Sequence, residues 1–389
     1  MQKCKIRVLF IKRIGVDFMT DVPDKIKTWQ MVQPWTKNPE TGEFTDGKLE
    51  LTELPVPTLN PGEVLVEVKG CGGCHTDLGY FYNGVPTVTK PPLTLGHEIA
   101  GVVVAGEQNL IGKEVIIPAV MPCNNCEICK SERNNRCLAQ KMPGNSLDIY
   151  GGFSSHIPVP AADLCIVENK GEYELEELAV IADAITTPYQ ACKRGDVKEG
   201  DNIIVIGTGG GVGVYTTQMA KAFGAKNVIG IDIDDEKLNR ALEYGADFII
   251  NSKDKNPKEI KEEFKNICKS NNIPHNYGWK IFEVTGSAPG QAIALNLLSF
   301  IGKIIWIGFG MQKNEYSLSK LMAYDAEIIG TWGCLPKYYQ DVLRLVIEGK
   351  IKIKPFIDIK PMSKIKSAFE DAAGGKLLKR IILTPDFSE

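Results

Sequence analysis

The sequence lacks three features that would place it among nucleic-acid-binding, membrane or secreted proteins. Its 389 residues carry a formal net charge of only -3 and no basic stripe, which argues against a polyanion-binding surface. No segment approaches the ~20 apolar residues that a membrane-spanning helix needs. Near the N-terminus, Arg7, Lys12 and Arg13 interrupt the apolar positions, so no secretory h-region forms. We therefore predict no nucleic-acid partner, no membrane insertion and a cytoplasmic location.

Internal repeats and low-complexity tracts are also missing, and the composition is that of a globular protein. The chain is 43% hydrophobic and 24% charged, and its length suits two domains rather than one core. Eleven cysteines without a signal peptide favour a reducing compartment. In such a compartment, clustered cysteines bind metal more often than they form disulfides.

Short β-rich runs, broken by glycine and proline, extend from about residue 47 to 170. They are LELTELPVP, GEVLVEVKGC, HEIAGVVVAGE, KEVIIPAV, FSSHIPVP and DLCIVE. Strands at this spacing predict a compact, largely antiparallel domain. The segment before them, residues 1–46, shows no clear periodicity.

The pattern changes after Lys198, where apolar strands alternate with helices. NIIVIG, YTTQMAKAFGA, NVIGIDID and DEKLNRALEYGA read as βαβ units, and WKIFEVTG, GKIIWIGFG and AEIIGTWG fit later strands of the same parallel sheet. The sheet is predicted to close near residue 335. The remaining tail reads as helix, strand, helix and strand, which could return to complete the first domain.

The densest motif is CNNCEICKSERNNRC, which contains Cys123, Cys126, Cys129 and Cys137. Four thiolates can surround one tetrahedral zinc and leave no position for water, which is typical of a structural site. An iron–sulfur cluster is a competing interpretation because thiolates alone do not decide the metal. Four incidental reduced thiols are the remaining alternative.

A second set of donors is dispersed over CGGCHTD, GHE and VIADAITTPYQ. Cys74, His97 and Asp183 could supply one sulfur, one nitrogen and one oxygen to a catalytic zinc, which keeps a fourth position open. Each residue also has an ordinary structural alternative. These are a buried free cysteine, a core histidine and an aspartate that caps the N-terminus of a helix.

A glycine-rich loop, VIGTGGGVGVYTTQMAKAFGA, follows a predicted strand and precedes a helix. Glycines allow the backbone to turn sharply and approach a pyrophosphate at the helix N-terminus. Asp232 ends the next strand, where a carboxylate binds ribose hydroxyls and repels a 2′-phosphate. Gly207, Gly209 and Gly213 leave one residue more than the usual spacing, so a glycine-rich loop without a nucleotide stays an alternative.

Together, in this order along the chain, these motifs resemble the zinc-containing medium-chain alcohol dehydrogenases from about residue 47 onward. The resemblance implies an α/β protein with a GroES-like, largely antiparallel catalytic domain and a Rossmann, doubly wound nucleotide-binding domain. The implied limits are 1–185 for the catalytic domain, with a zinc lobe at about 121–140, and 186–335 for the NAD-binding domain. Residues 336–389 would return to the catalytic domain.

In that family, the residues at Cys74, His97 and position 183 bind the catalytic zinc, and Glu98 is a nearby carboxylate that can exchange onto the metal. Many members carry cysteine at the third ligand position. Asp183 keeps an anionic donor there but replaces soft sulfur with hard oxygen. Cys71 is the alternative thiolate, although the resemblance favours Cys74.

The resemblance also implies roles around the substrate and cofactor. Thr76 matches the hydroxyl that bonds the substrate oxygen, and Gly79 stands where some members carry a proton-relay histidine. His75 could contact the cofactor phosphate or simply pack, while Asp232 would bind the adenosine ribose and favour NAD over NADP. The glycines expected to admit the pyrophosphate are Gly207, Gly209, Gly210 and Gly213. We predict NAD, two zinc ions per subunit and a homodimer or homotetramer.

A narrower resemblance lies in CHTDLGYFYNGV, PAVMPCNNCEIC, MPGNSLDIYGGFSSHIPVP and VIADAITTPYQA. These segments are similar to 6-hydroxycyclohex-1-ene-1-carbonyl-CoA dehydrogenases of anaerobic aromatic degradation. The implied reaction oxidises a ring alcohol, carried on a CoA thioester, to the ketone. The alternatives are a cyclic enoyl- or dienoyl-CoA reductase or dehydrogenase on the same scaffold, a general alcohol dehydrogenase, and a non-catalytic nucleotide-binding protein.

Overall fold

The computed structural model describes residues 22–37, 40–375 and 377–387. Within these ranges the strands are β1 Lys25–Gln33, β2 Thr36–Lys37, β3 Phe44–Thr45, β4 Lys48–Pro55, β5 Glu63–Gly72, β6 Leu93–Thr94, β7 Glu98–Gly106, β8 Glu114–Ile117, β9 His156–Pro160, β10 Cys165–Ile166, β11 Asn202–Ile206, β12 Asn227–Asp232, β13 Phe248–Asn251, β14 Trp279–Glu283, β15 Lys303–Trp306, β16 Glu327–Gly330, β17 Ile357–Pro361 and β18 Arg380–Thr384. The helices are α1 His75–Tyr82, α2 Glu127–Lys130, α3 Thr186–Arg194, α4 Gly213–Ala222, α5 Asp235–Glu243, α6 Pro257–Ser270, α7 Ala288–Leu297, α8 Leu318–Tyr324, α9 Tyr339–Ile347 and α10 Ile365–Ala373.

A largely antiparallel sheet is built from strands near both ends of the chain. Its order is β10-β8-β7-β5-β18-β17, and β9 also pairs with β5. The strand β18 joins β5 antiparallel, with Ile382 opposite Gly72 and Leu383 opposite Cys71. The C-terminal tail therefore returns to the sheet that contains the first β-rich runs. The domain limits near residues 185 and 335 stay predictions.

Strand β1 corrects the interpretation of residues 1–46 as a segment without periodicity. It pairs with β4 over its length and with β6 through Gln30 and Met31. Two of its inward side chains, Thr28 and Gln30, are polar yet buried, and the register shifts between Met31 and Gln33. Polar residues on the inner face and the irregular register hide the period of two that marks a strand. Residues 1–21 lie outside the described part.

The second sheet is parallel throughout, with the order β13-β12-β11-β14-β15-β16. This order is the doubly wound arrangement, whose topological switch point lies between β11 and β14. Along β11, Ile203 and Val205 pack into the core beside α3 and α4, while Ile204 and Ile206 pack beside α6 and α7. Apolar residues on both faces explain the continuous run NIIVIG. The predicted fold class is confirmed.

Helix length and polarity also bear on the membrane prediction. No helix in the described ranges combines the length and the apolar run that a bilayer crossing requires.

Candidate active site

Two clusters of metal-ligating side chains occur in the described part of the chain. One contains Cys123, Cys126, Cys129 and Cys137, and the other contains Cys74, His97, Glu98 and Asp183. Within each cluster the ligand atoms lie within 4.8 Å of one another. The structure thus brings together both sets of donors that the sequence singles out. Ligation of zinc by them stays a prediction.

The four-cysteine cluster has the dimensions of a closed tetrahedral site. The Sγ–Sγ distances are 3.4 Å for Cys123 and Cys137, 3.5 Å for Cys126 and Cys129, and 3.8 Å for Cys126 and Cys137. A zinc ion with Zn–S bonds of about 2.3 Å separates its sulfurs by about 3.8 Å, so the side chains fit the metal. Hydrogen bonds from the backbone amides of Asn125 and Cys126 lower the pKa of Cys123 to about 6, which favours the thiolate.

The lobe around these cysteines packs against the segment that follows β16. The side-chain amide of Asn135 donates a hydrogen bond of 2.6 Å to the carbonyl oxygen of Trp332. The guanidinium of Arg136 lies 5.2 Å from the centre of the Trp332 ring. The lobe therefore connects the early part of the chain to the end of the parallel sheet.

Cys74 lies at the junction between β5 and α1. It is the N-cap residue of α1, and its backbone amide donates to Asp77 Oδ2 at 3.0 Å. The Thr76 hydroxyl is 3.7 Å from Cys74 Sγ, so the predicted substrate-binding hydroxyl lies beside the predicted thiolate ligand. His75 is exposed as the first residue of α1. Cys71 instead packs in the hydrophobic core, which separates it from the donor cluster.

His97 lies between two carboxylates. Its Nδ1 is 3.4 Å from Asp77 Oδ1, and its Nε2 is 3.5 Å from Asp183 Oδ2. Burial opposes protonation, but Asp77 and Asp183 raise the pKa of His97 well above its ordinary value. Both ring nitrogens are buried and have no hydrogen-bond partner of normal geometry among the described residues. An imidazole nitrogen of this kind is suited to a metal, with Asp77 orienting the ring from the other side.

Asp183 follows a 3₁₀ helix, Glu176–Ala182, and two residues separate it from α3. The N-cap of α3 is Ile185 rather than Asp183, so the helix-capping alternative is wrong. The Asp183 carboxylate instead accepts a hydrogen bond from the Thr187 hydroxyl at 2.7 Å and lies 4.0 Å from Cys74 Sγ. Burial raises the pKa of this carboxyl, but His97 and Thr187 outweigh burial and lower it overall.

Glu98 is fully buried and paired with a residue from the far end of the chain. Its Oε1 accepts a hydrogen bond of 2.8 Å from Arg380 Nη1, while its Oε2 has no partner among the described residues. Burial raises the pKa of Glu98 to about 7, although Arg380 opposes this effect. A Cβ on Gly72 would lie 2.1 Å from Glu98 Oε2, so only glycine leaves room for this carboxylate. The unpartnered oxygen fits the predicted exchange ligand.

The glycine-rich loop joins β11 to α4 at the switch point of the parallel sheet. Gly207 has φ of +87°, a conformation that favours glycine, and a Cβ on Gly213 would lie 1.9 Å from the Gly207 carbonyl oxygen. The amide of Gly209 donates to Asp232 Oδ2 at 2.8 Å. The predicted pyrophosphate loop and the predicted ribose ligand are therefore in contact. Gly210 lies in the same turn, and its amide donates to the Gly207 carbonyl at 3.0 Å.

Arg380 links the donor cluster to the glycine-rich loop. Besides Glu98, its Nη1 reaches the Gly73 carbonyl at 3.3 Å, and its Nη2 lies 2.9 Å from where a Cβ on Gly211 would be. Sequence reasoning missed Arg380 because it lies 282 residues from Glu98. It also missed the role of Asp77, although the position three residues after a helix N-cap is a known capping signal.

Comparisons with known proteins agree with this architecture. The family model for an alcohol dehydrogenase GroES-like domain matches residues 60–169, and that for a zinc-binding dehydrogenase matches residues 211–348. An alcohol dehydrogenase of Geobacillus stearothermophilus is 30% identical over 344 residues, which cover 87% of this chain and 96% of that protein. A sorbitol dehydrogenase of Bombyx mori is 27% identical over 350 residues, which cover 86% of this chain and 95% of that protein.

Among solved structures, an acetophenone reductase of Geotrichum candidum NBRC 4597, in complex with NAD, is similar with a TM-score of 0.78. It is 26% identical, and the match covers 94% of this chain and 99% of that chain. Fold and family models together define a zinc-binding oxidoreductase. The chain belongs to the zinc-containing medium-chain alcohol dehydrogenase family.

Proposed function

We propose that this enzyme oxidises the ring alcohol of an alicyclic hydroxyacyl-CoA, of the 6-hydroxycyclohex-1-ene-1-carbonyl-CoA type, to the ketone with NAD⁺. The observation that carries the reaction class is the cluster of Cys74, His97 and Asp183, which Glu98 and Arg380 connect to the glycine-rich loop. The CoA thioester and the place in anaerobic aromatic degradation are supported by the four sequence segments quoted above.

The donor cluster suits a catalytic zinc in number, chemistry and spacing. Cys74, His97 and Asp183 would hold the ion, which supplies Lewis-acid polarisation of the substrate oxygen when bound. The separation of 3.5 Å between His97 Nε2 and Asp183 Oδ2 is close to the ~3.3 Å expected for two ligands on one tetrahedral zinc. Asp77 Oδ1 lies 3.4 Å from the opposite ring nitrogen, where it would orient the imidazole. A second, structural zinc would occupy the four-cysteine lobe.

Thr76 would bind the hydroxyl group of the substrate. Its hydroxyl lies beside Cys74, where it can accept the hydrogen bond of the substrate alcohol and hold its oxygen in place. Gly79 offers no imidazole for a relay, so the proton must leave through water, the cofactor ribose or another group. His75, exposed at the start of the same helix, is proposed to contact the cofactor phosphate.

The nucleotide would lie across the switch point of the parallel sheet, as ligands of doubly wound folds do. Gly207, Gly209, Gly210 and Gly213 would admit the pyrophosphate at the N-terminus of α4. Asp232 now accepts hydrogen bonds from the amides of Gly209 and Ile233 at 2.8 Å each. It would instead accept the adenosine ribose hydroxyls and repel a 2′-phosphate, so we propose NAD as the hydride acceptor.

The test supplies purified, zinc-loaded protein with 6-hydroxycyclohex-1-ene-1-carbonyl-CoA and either NAD⁺ or NADP⁺, and follows absorbance of the reduced cofactor. We expect rapid NADH formation, little NADPH formation and a ketone product. Simple alcohols and unhydroxylated cyclic monoenoyl- and dienoyl-CoA esters serve as parallel substrates. If the enzyme turns over an unhydroxylated thioester but not the hydroxylated one, hydride transfer takes place at a C–C bond. Turnover of simple alcohols alone would remove the thioester from the proposal.

We further propose that two or four copies of the chain assemble through the edge strand β16. Ile328 on this strand is 40% exposed, and Leu318 and Met322 on the neighbouring α8 are 73% and 77% exposed. Light scattering should give the mass of a homodimer or homotetramer, and Ile328→Lys should reduce that mass because a charge on an edge strand opposes pairing. A monomeric wild type, or an unchanged mass in the variant, contradicts this interface.

The reduced thiolates that the cysteine lobe needs support a cytoplasmic location.

A further inference from the structure

A carboxylate in the third ligand position raises a geometric problem that a thiolate does not. Asp183 has two oxygens, and either or both could turn toward a metal, whereas cysteine offers one sulfur. In the structure the two oxygens have different surroundings. Oδ2 lies 3.5 Å from His97 Nε2 and 4.0 Å from Cys74 Sγ, and Oδ1 accepts a hydrogen bond of 2.7 Å from the Thr187 hydroxyl.

Thr187 reaches this oxygen because of how α3 begins. It lies four residues after Asp183, one helical turn along the chain, and its backbone amide donates to the Asp183 carbonyl at 2.9 Å. The backbone and the side chain of Thr187 therefore both bond to the same aspartate. The backbone of Thr187 cannot move away from Asp183 without losing this hydrogen bond of the first helical turn.

The backbone just before Asp183 is fixed as well. The carbonyl of Ala182 accepts hydrogen bonds from the Tyr339 hydroxyl at 2.5 Å and from the Thr186 hydroxyl at 3.1 Å. Tyr339 is buried and also accepts from the backbone amide of Ala119 at 3.1 Å. With the main chain held on both sides, the main freedom left to Asp183 is rotation of its carboxylate.

We propose that Thr187 is a positioning residue that makes Asp183 a single-oxygen ligand. By occupying Oδ1, its hydroxyl leaves Oδ2 as the one donor that faces Cys74 and His97. The inference rests on the proposed zinc site and adds a residue that the ligand set itself does not contain. It also makes Asp183 and Thr187 a functional pair, because a thiolate at position 183 has no second donor atom for the hydroxyl to occupy.

The first test compares zinc affinity of the full-length wild type, Thr187→Val and Thr187→Ser by competition with a chromophoric chelator. Loss of an outer-shell partner typically weakens metal affinity by about 10–100-fold, and we expect Thr187→Val to lose affinity at the catalytic site by this factor. Thr187→Ser keeps the hydroxyl and should restore affinity. The four-cysteine zinc is an internal control that should not change. With cobalt in the catalytic site, Thr187→Val should also shift the visible d–d absorption bands.

The decisive test repeats Thr187→Val in an Asp183→Cys background. A cysteine has no second oxygen, so the valine should then leave metal affinity and the cobalt spectrum unchanged. Equal losses of metal affinity in both backgrounds would overturn the proposal, because Thr187 would then affect the packing of the site rather than the orientation of Asp183. Thr216→Val removes a helical hydroxyl that donates to a backbone carbonyl, that of Val212 at 2.9 Å, rather than to a carboxylate, and it controls for the cost of burying valine in a helix.

Two further outcomes separate this inference from the zinc site on which it depends. If Asp183→Ala loses the second zinc but Thr187→Val binds it normally, the zinc site stands and the role of Thr187 is overturned. If Asp183→Ala keeps both zinc ions, the zinc site and this inference fail together. Weaker NAD binding by Thr187→Val, with unchanged zinc affinity and cobalt spectrum, would assign the hydroxyl to the cofactor and also overturn the inference.

Discussion

Replacing Asp183 with alanine is expected to reduce bound zinc from two ions per subunit to one and to remove nearly all alcohol oxidation. The variant leaves Cys74 and His97 without a third donor, and a zinc site with two protein ligands is poor. Lewis-acid stabilisation contributes several kcal/mol to such reactions, so its loss should lower the rate by about 1000-fold. Metal content by mass spectrometry, read together with NADH formation, measures both effects.

Three companion variants define what that result would mean. Asp358→Ala removes an exposed aspartate of β17 whose ion pair with Lys360 is long, at 3.8 Å, and should keep both metals. Asp183→Cys restores an anionic donor and should recover the second zinc. Glu98 is the one other carboxylate of the cluster, but Arg380 holds it at 2.8 Å, so we expect it to replace Asp183 poorly. Two zinc ions and normal turnover in Asp183→Ala would contradict the ligand assignment.

The sequence could predict those parts of the site whose functional residues lie close together along the chain. CNNCEIC places three thiols within seven residues, and the glycine-rich loop lies between a buried strand and a helix. Donor type and spacing therefore suffice to nominate Cys123 or Gly213 without a fold. The same holds for the parallel sheet, since apolar strands alternating with helices have few other arrangements.

The parts that could not be predicted depend on contacts between distant segments. Arg380 meets Glu98 only because β18 joins β5 in the sheet, and Tyr339 meets Ala182 across 157 residues. Nothing in the sequence near Arg380 or Tyr339 indicates either partner. Asp77 and Thr187 are different, because both lie within four residues of a predicted ligand. Their hydrogen bonds follow from helix geometry, which the motifs alone do not describe.

The alternative that Asp183 caps the N-terminus of a helix could be excluded only with the structure. An aspartate just before a helix can cap its N-terminus, and the sequence cannot place a helix start to within two residues. Here the N-cap of α3 is Ile185, and no side-chain hydrogen bond caps this helix. The carboxylate therefore turns toward His97 and Thr187 instead of the helix amides.

The second large effect is expected for Gly213→Ala, which should weaken NAD binding by about 10–100-fold while leaving both zinc ions in place. The added Cβ would lie 1.9 Å from the Gly207 carbonyl oxygen, a backbone atom that cannot rotate away. The clash can be relieved only if α4 shifts away from the loop, and overpacking of this kind costs about 1–3 kcal/mol. Because each 1.4 kcal/mol changes affinity tenfold, a displaced loop should lose about one to two decades of affinity.

Calorimetric titration with NAD measures this change, and Gly79→Ala provides the matched control. A Cβ on Gly79 would meet Val85, in the loop after α1, at 3.5 Å, which is an ordinary contact, so that substitution should leave NAD affinity unchanged. Unchanged NAD affinity in Gly213→Ala would mean that the pyrophosphate does not lie on this turn. Asp183→Ala should lose metal but keep NAD binding, and Gly213→Ala should weaken NAD binding but keep the metal. If Asp183→Ala weakened NAD binding and Gly213→Ala lost zinc, the two sites would be assigned to the wrong ligands.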